Sequence, residues 1–140
     1  MTMQAVFLTT PELQAEHWAT VAELVAPAVT DAARGEFTLE DLGAMVRDGR
    51  AVAGLATHDG APVMGMVFEF RHYPRRQVIN VMALGGSNLA DITTSFWQQF
   101  TGWARESGVA EIEACASPAM SRILKQIGFA HTYNVMRIPC

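Results

Sequence analysis

Glu69 lies in Val67-Phe68-Glu69-Phe70, an otherwise apolar segment where a carboxylate is costly to bury unless it is paired. Such a residue is either solvent-facing or tied to a cation, Arg71 or another neighbour, or left to take a proton as a general base. Arg71, His72, Tyr73, Arg75 and Arg76 form the one local basic cluster, suited to a solvated turn or an acidic partner. His17, His58, His72 and His131 are scattered, with no His-x-x-x-His pair and no His/Cys cluster, so no metal site is expected. Ser87, Ser95, Ser107, Ser117 and Ser121 lack a Gly-x-Ser-x-Gly setting, which argues against a serine hydrolase. Cys115 ends an apolar run and reads as a buried thiol, while Cys140, the last residue, reads as free. Two cysteines are too few for a disulfide scaffold and point to a reducing, cytoplasmic setting.

The elements that must position these groups follow from caps and periodicity. Met3–Leu8 is a short apolar run, an edge strand or an arm. Thr10-Pro11-Glu12 opens a helix with a side-chain cap and a proline at its first position, and Pro27 should end or bend it. Thr38-Leu39-Glu40-Asp41 opens a second helix, closed by Gly49. Ala51–Thr57, Val63–Arg71 and Gln77–Leu84 are rich in β-branched and aromatic residues and are separated by turn signals, Asp59-Gly60 among them, which predicts three consecutive antiparallel strands. A long helix is expected from about Leu89 to Ser107, with Ile92, Phe96, Phe100 and Trp103 inward and Gly108 after its end. Val109–Cys115 reads as a strand with Glu111 and Glu113 on its exposed side, Pro118–Ile127 as a short helix, and Phe129–Ile138 as a final strand. The strand–helix–strand unit requires a crossover returning parallel to a neighbour, so a mixed α/β domain is expected.

The 140 residues suffice for one domain, 1–140, with a core of its own. A formal charge of −4, from 10 Lys plus Arg against 14 Asp plus Glu, argues against a broad grip on nucleic acid. It leaves room for an anionic small ligand held by backbone amides. No apolar stretch is long enough to span a membrane, and the first thirteen residues carry no basic region or cleavage site, so neither a span nor a secretion signal is expected. The eight methionines read as adaptable core filling.

The order of these elements, with Trp103-Ala104-Arg105-Glu106-Ser107-Gly108-Val109-Ala110-Glu111-Ile112 and Gly128-Phe129 after Leu124-Lys125-Gln126-Ile127, resembles a GCN5-related N-acetyltransferase (GNAT) domain. Phe37-Thr38-Leu39-Glu40-Asp41-Leu42 through Gly49, and Gly85-Gly86, look most like small phage-associated GNAT-like proteins. The resemblance implies a central mixed, mostly antiparallel sheet flanked by helices. It also implies acetyl-CoA in a cleft where Gln77–Leu84 and Val109–Cys115 splay apart. The thioester carbonyl would meet strand amides near Met82, Ala83 and Leu84. The diphosphate would meet Gly85, Gly86, Ser87, Asn88, Leu89 and Ala90 at the start of the long helix, and Glu69 would be the candidate base. The family's loop commonly reads Gln/Arg-x-x-Gly-x-Gly/Ala, a string absent here, and Asn88 with Asp91 could instead form a capping box that closes the helix start. Leu124 stands where the family commonly carries the tyrosine that protonates the departing thiolate, Ser117 where it carries an asparagine, and Tyr133 is the nearest tyrosine.

Two functions are thus expected: an acetyl-CoA-dependent N-acyltransferase acting on an unidentified small-molecule or protein amine, or a GNAT-derived binding or virion-associated protein without catalysis. The last strand, ending at Ile138-Pro139-Cys140, could pair with a second copy as a homodimer.

Overall fold

A computed structural model describes residues 3–87 and 89–140, with side chains for all of these except 32 and 89–93. Thr10 caps helix α1 (Pro11–Ala32), its hydroxyl accepting from the Leu13 amide at 3.2 Å. Helix α2 (Leu39–Arg47) starts with a reciprocal box: Thr38 Oγ1 accepts from the Asp41 amide at 3.1 Å, and Asp41 Oδ2 accepts from the Thr38 amide at 2.8 Å. Each arrangement satisfies amides that have no partner inside the helix.

Five strands follow chain order across one sheet: β1 (Met3–Phe7), β2 (Val52–His58), β3 (Ala61–Tyr73), β4 (Arg76–Gly86) and β5 (Glu111–Ala114). The first four pair antiparallel, and the β2–β3 turn places Asp59 and Gly60 at φ 51° and 83°. Helix α3 (Leu89–Glu106) is the crossover that brings β5 parallel to β4, and α4 (Pro118–Gln126) follows, capped by Ser117.

The sheet is packed on both faces. On one, Val21 and Val25 of α1 and Leu42 and Val46 of α2 are buried with Leu55, Val67 and Ala83. On the other, Phe68 meets Phe100 of α3 at a ring distance of 5.1 Å, Trp103 at 5.5 Å and Phe7 at 6.2 Å. Phe96 and Phe100 are fully buried as their spacing predicts; the Ile92 side chain lies outside the described residues.

Three expectations are corrected. Helix α1 continues through Pro27 to Ala32. The proline only withholds an N–H from the Glu23 carbonyl, and both residues line an open cleft where water can reach that group. Residues 129–140 form no strand, and Met136 and Ile138 are each 85% exposed. Alternation gives a segment two faces but does not supply a neighbouring edge to bond with. Arg137 Nη2 ties this tail to Glu36 Oε2 at 2.8 Å. Cys115 is exposed, because β5 ends one residue before it.

The approach of α1 to β4 is unusually close. A Cβ on Gly85 would overlap the Leu24 carbonyl oxygen, whereas one on Gly102 of α3 would meet nothing within 4 Å. Gly85→Ala is therefore expected to destabilise the fold by about 1–3 kcal/mol. Gly102→Ala, relieved of glycine's helix penalty, is expected to stabilise it by about 0.4–1 kcal/mol. Urea unfolding of both variants checks the pair, and a neutral Gly85→Ala would contradict the close approach.

Candidate functional site

The site begins with one surplus residue. Val67 of β3 lies opposite Ala83 and Phe68 opposite Val81, so Met82 of β4 has no residue facing it. Such a bulge bends and twists its strand. β4 pairs with β5 only from Val78 to Val81, opposite Glu111 to Ala114, and the two strands then part. Beyond that point β4 keeps β3 as its partner and has no ladder partner on the β5 side.

The gap is a cavity of about 770 Å³. Val81 to Ser87 form one wall, and Ala114 to Ser117 with Met120 and Leu124 the other. Glu23, Leu24, Pro27 and Asp31 of α1 and Trp97 of α3 complete it. Met82, Ala83, Leu84, Gly85, Gly86 and Ser87 thus line one cleft, and Leu89 and Ala90 open α3 directly after it. Asn88 and the Asp91 side chain lie outside the described residues, so the capping-box expectation does too. The two glycines have a packing reason: a Cβ on Gly85 would strike Leu24 of α1, and one on Gly86, at φ +155°, would strike the Val63 carbonyl oxygen of β3.

A second cavity of about 520 Å³ opens on the same sheet edge, lined by Arg71, Asn80, Glu113, Tyr133 and their neighbours. Ala114, Cys115, Ala116 and Leu124 line both cavities, which therefore adjoin where β4 and β5 separate. The ladder puts Glu69 opposite Asn80, and Asn80 opposite Glu113. These three residues form one row on one face, since directly paired residues share a face. Asn80 is the buried polar residue of the described core.

Arg71 stitches the row together: its Nε donates to Glu69 Oε1 at 3.2 Å and its Nη1 to Glu113 Oε1 at 3.1 Å. The Tyr73 hydroxyl also donates to Glu113 Oε1, at 3.2 Å. Burial works against the Arg71 charge, but Glu69, Tyr73 and Glu113 outweigh it and hold the guanidinium above its ordinary range. Glu113, and after it Tyr73, push the Tyr133 phenol above its ordinary range.

Glu69 is thus the ion-paired partner of Arg71 and is not among the residues lining either cavity. Glu113, read from sequence as an exposed strand residue, lines the second one. Asn80, Glu113 and Trp97 carry no distinguishing local signal; only the cross-strand register and the α3 packing bring them to the site. The basic cluster is partly consumed internally, since Arg76 Nη1 also meets Glu111 Oε1 at 2.6 Å. Leu124 is 6% exposed in the shared wall, with no proton to offer, and the Ser117 hydroxyl is occupied as the α4 cap, accepting from the Met120 amide at 3.2 Å. The Trp97 indole Nε1–H is sealed from solvent with no acceptor. Among the described residues no group of His, Cys, Asp and Glu could hold a metal ion, and no helix is long and apolar enough to cross a membrane.

No family model and no curated protein matches the sequence. Solved structures do match the fold. A GCN5-related N-acetyltransferase from Ralstonia eutropha JMP134 superposes with a TM-score of 0.72 at 15% identity, covering 99% of each chain. An aminoglycoside acetyltransferase from an uncultured soil metagenomic sample gives 0.72 at 17% identity, covering 100% of this chain and 99% of that one. The aminoglycoside N-acetyltransferase AAC(6')-Iy, in complex with CoA, gives 0.68 at 16% identity, covering 100% and 97%. At such identities the likeness speaks for architecture alone: the chain has the fold of the GCN5-related N-acetyltransferases.

Proposed function

We propose that the chain transfers an acyl group from acetyl-CoA to an amine, with the thioester in the larger cleft and the amine in the smaller one. One observation carries this reading: the two cavities adjoin at Ala114–Ala116, where the Met82 bulge has parted β4 from β5. Two separate substrates entering from two sides would present their reacting ends to each other there. That positioning converts a bimolecular encounter into a local one.

The residues present suit the donor. Between Met82 and Leu84 β4 has no β5 partner, so a backbone N–H there that does not face β3 can polarise a carbonyl. The start of α3 at Leu89 and Ala90 offers amides and a dipole to a diphosphate. The sealed indole N–H of Trp97 is a further unspent donor in the same wall. The thioester supplies an acyl group with a good leaving thiolate. The protein must then accept a proton from the attacking nitrogen and return one to sulfur as the C–S bond breaks.

Glu113 is the carboxylate that lines the acceptor cavity, so it attracts an ammonium and accepts the first of the two protons its nitrogen loses, with Arg71 and Tyr73 holding it in place. Glu69 acts at one remove, through Arg71. Tyr133 lines the same cavity and serves as the proton donor that Leu124 cannot be, its own proton restored by the second one the nitrogen sheds after attack. Leu124 also favours a second reading, in which the fold binds acyl-CoA without turnover. A thioester-consumption assay over a panel of amines separates the two: clear turnover with any amine excludes the second.

Calorimetric titration should show micromolar binding of acetyl-CoA, and absence of heat at millimolar ligand would remove the donor site. Cys115, exposed at the junction, should be shielded by bound acetyl-CoA, with alkylation slowed about tenfold at ten times Kd, whereas exposed Cys140 keeps its rate. Equal slowing of both thiols, or of neither, would place the ligand elsewhere. In a Tyr73→Phe background, which leaves Tyr133 as the sole tyrosine, Glu113→Gln should lower the phenol pKa. Removing a negative neighbour eases loss of the proton, so absorbance titration should shift to lower pH, and an unmoved curve would uncouple the two residues.

A further inference from the structure

Trp97 is 4% exposed, lines the larger cleft, and has an indole Nε1–H that is sealed from water and bonded to nothing. Its ring is held by neighbours on several sides: Phe96 edge-on at 5.8 Å, Phe100 at 5.4 Å and Phe129 edge-on at 5.1 Å. Leaving such a donor unmatched is costly, and buried polar groups in folded proteins nearly always find a partner. A phenylalanine would keep most of the ring contacts without that cost. The indole N–H is therefore unexplained by packing alone, and its place in the cleft wall says where its partner comes from.

We infer that the Trp97 Nε1–H is a specificity donor for the acyl-CoA-type ligand of this cleft, bonding an amide carbonyl oxygen of the pantetheine arm. The inference rests on the acyl-donor reading and adds to it a named side chain and a named part of the ligand. Two features select the amide arm over the phosphates. Trp97 shares one apolar cluster with Val81, Leu84, Met120 and Leu124, and among the described residues lining the cleft there is no lysine or arginine to hold a phosphate. Trp97 also stands eight positions after Leu89, the first residue of α3. At the rise of an α-helix that is about 12 Å along the axis from the turn whose amides suit an anion. A ligand with charged oxygens at the helix start and a neutral amide chain running down the cleft matches both ends. The bond forms as flexible side chains of that wall, Met120 among them, give way to the arm.

The test compares the full chain with its Trp97→Phe variant by calorimetry, using CoA, pantetheine and adenosine 3',5'-bisphosphate as probes. The variant should bind CoA and pantetheine about three- to tenfold more weakly, the range of one neutral hydrogen bond. It should bind the bisphosphate unchanged, and its unliganded melting temperature should not fall. Equal affinity of both proteins for CoA, or the same loss for the bisphosphate, overturns the assignment. A second measurement needs no variant at position 97: in the ¹⁵N-tryptophan-labelled chain, one of three indole N–H resonances should move downfield on CoA addition. Trp18→Phe and Trp103→Phe leave that signal in place, and a spectrum indifferent to CoA overturns the inference as well. The failures are distinguishable, because a wild-type chain that binds neither CoA nor pantetheine removes the acyl-donor reading itself, and this donor with it. Binding that ignores Trp97 removes the donor alone.

Discussion

The surplus residue at Met82 is the constraint on which the site depends. A strand in the middle of a sheet owes hydrogen bonds to both neighbours, and β4 meets that obligation only as far as Val81. By inserting one residue against β3, the chain turns the rest of β4 without surrendering the β3 ladder, which resumes at Ala83 and runs to Gly86. The strand can therefore leave β5 and still be fixed on one side. Helix α1 braces the same stretch from above, with the Leu24 carbonyl so near Gly85 that only glycine fits. The open cleft is in this sense a product of tight packing elsewhere: the bulge directs the strand, and α1 keeps it there.

The second cavity depends on charge rather than on strand geometry. Glu69, Asn80 and Glu113 share a row across three strands, and two carboxylates so close on one face would repel each other unpaired. Arg71 bridges them, and Tyr73 adds a donor to the same Glu113 oxygen. Pairs this exposed contribute little to stability, on the order of 0–1 kcal/mol each. Their effect is on direction: they orient Glu113 at the cavity and place a negative charge beside Tyr133.

Much of the architecture was legible because it is written locally. Thr10-Pro11 and Thr38 with Asp41 announce two helix starts through bonds that close within four residues, and Asp59-Gly60 announces a hairpin for the same reason. The spacing of Phe96 and Phe100 reveals a face of α3, and of the segment expected at the cofactor Gly85, Gly86 and Ser87 line the larger cleft. The constituents of the second cavity were not legible. Glu113 looks like any exposed strand residue until the register sets it beside Asn80, 33 positions earlier. Trp97 adjoins the predicted stripe but follows no motif. Residues 129–140 show the opposite failure, since alternation suggested a strand and no edge came to pair with it. Local signals report what a segment can do; partners decide whether it does.

The two cavities differ in polarity, and that difference bears on how a reaction there would be organised. The larger one has Val81, Leu84, Met120, Leu124 and the Trp97 ring in its wall, with Glu23 and Asp31 of α1 also lining it, and a hydrogen bond on its apolar side counts for more than the same bond in water. The smaller one carries Arg71, Asn80, Glu113 and Tyr133, with Glu113 held by bonds from Arg71 and Tyr73. A thioester needs little beyond orientation and one or two donors at its carbonyl, which an apolar slot with a free strand edge provides. An amine arrives as a cation, must be desolvated and must shed a proton, and each of these steps wants the charged, adjustable lining of the second cavity. Leu124 sits on the boundary without a hydroxyl, so under the proposed acyl transfer the return of a proton would fall to the side where Tyr133 stands. The proton that leaves the nitrogen and the one that reaches sulfur would then be handled within one cluster, Glu113 and Tyr133, on one side of the bond being exchanged.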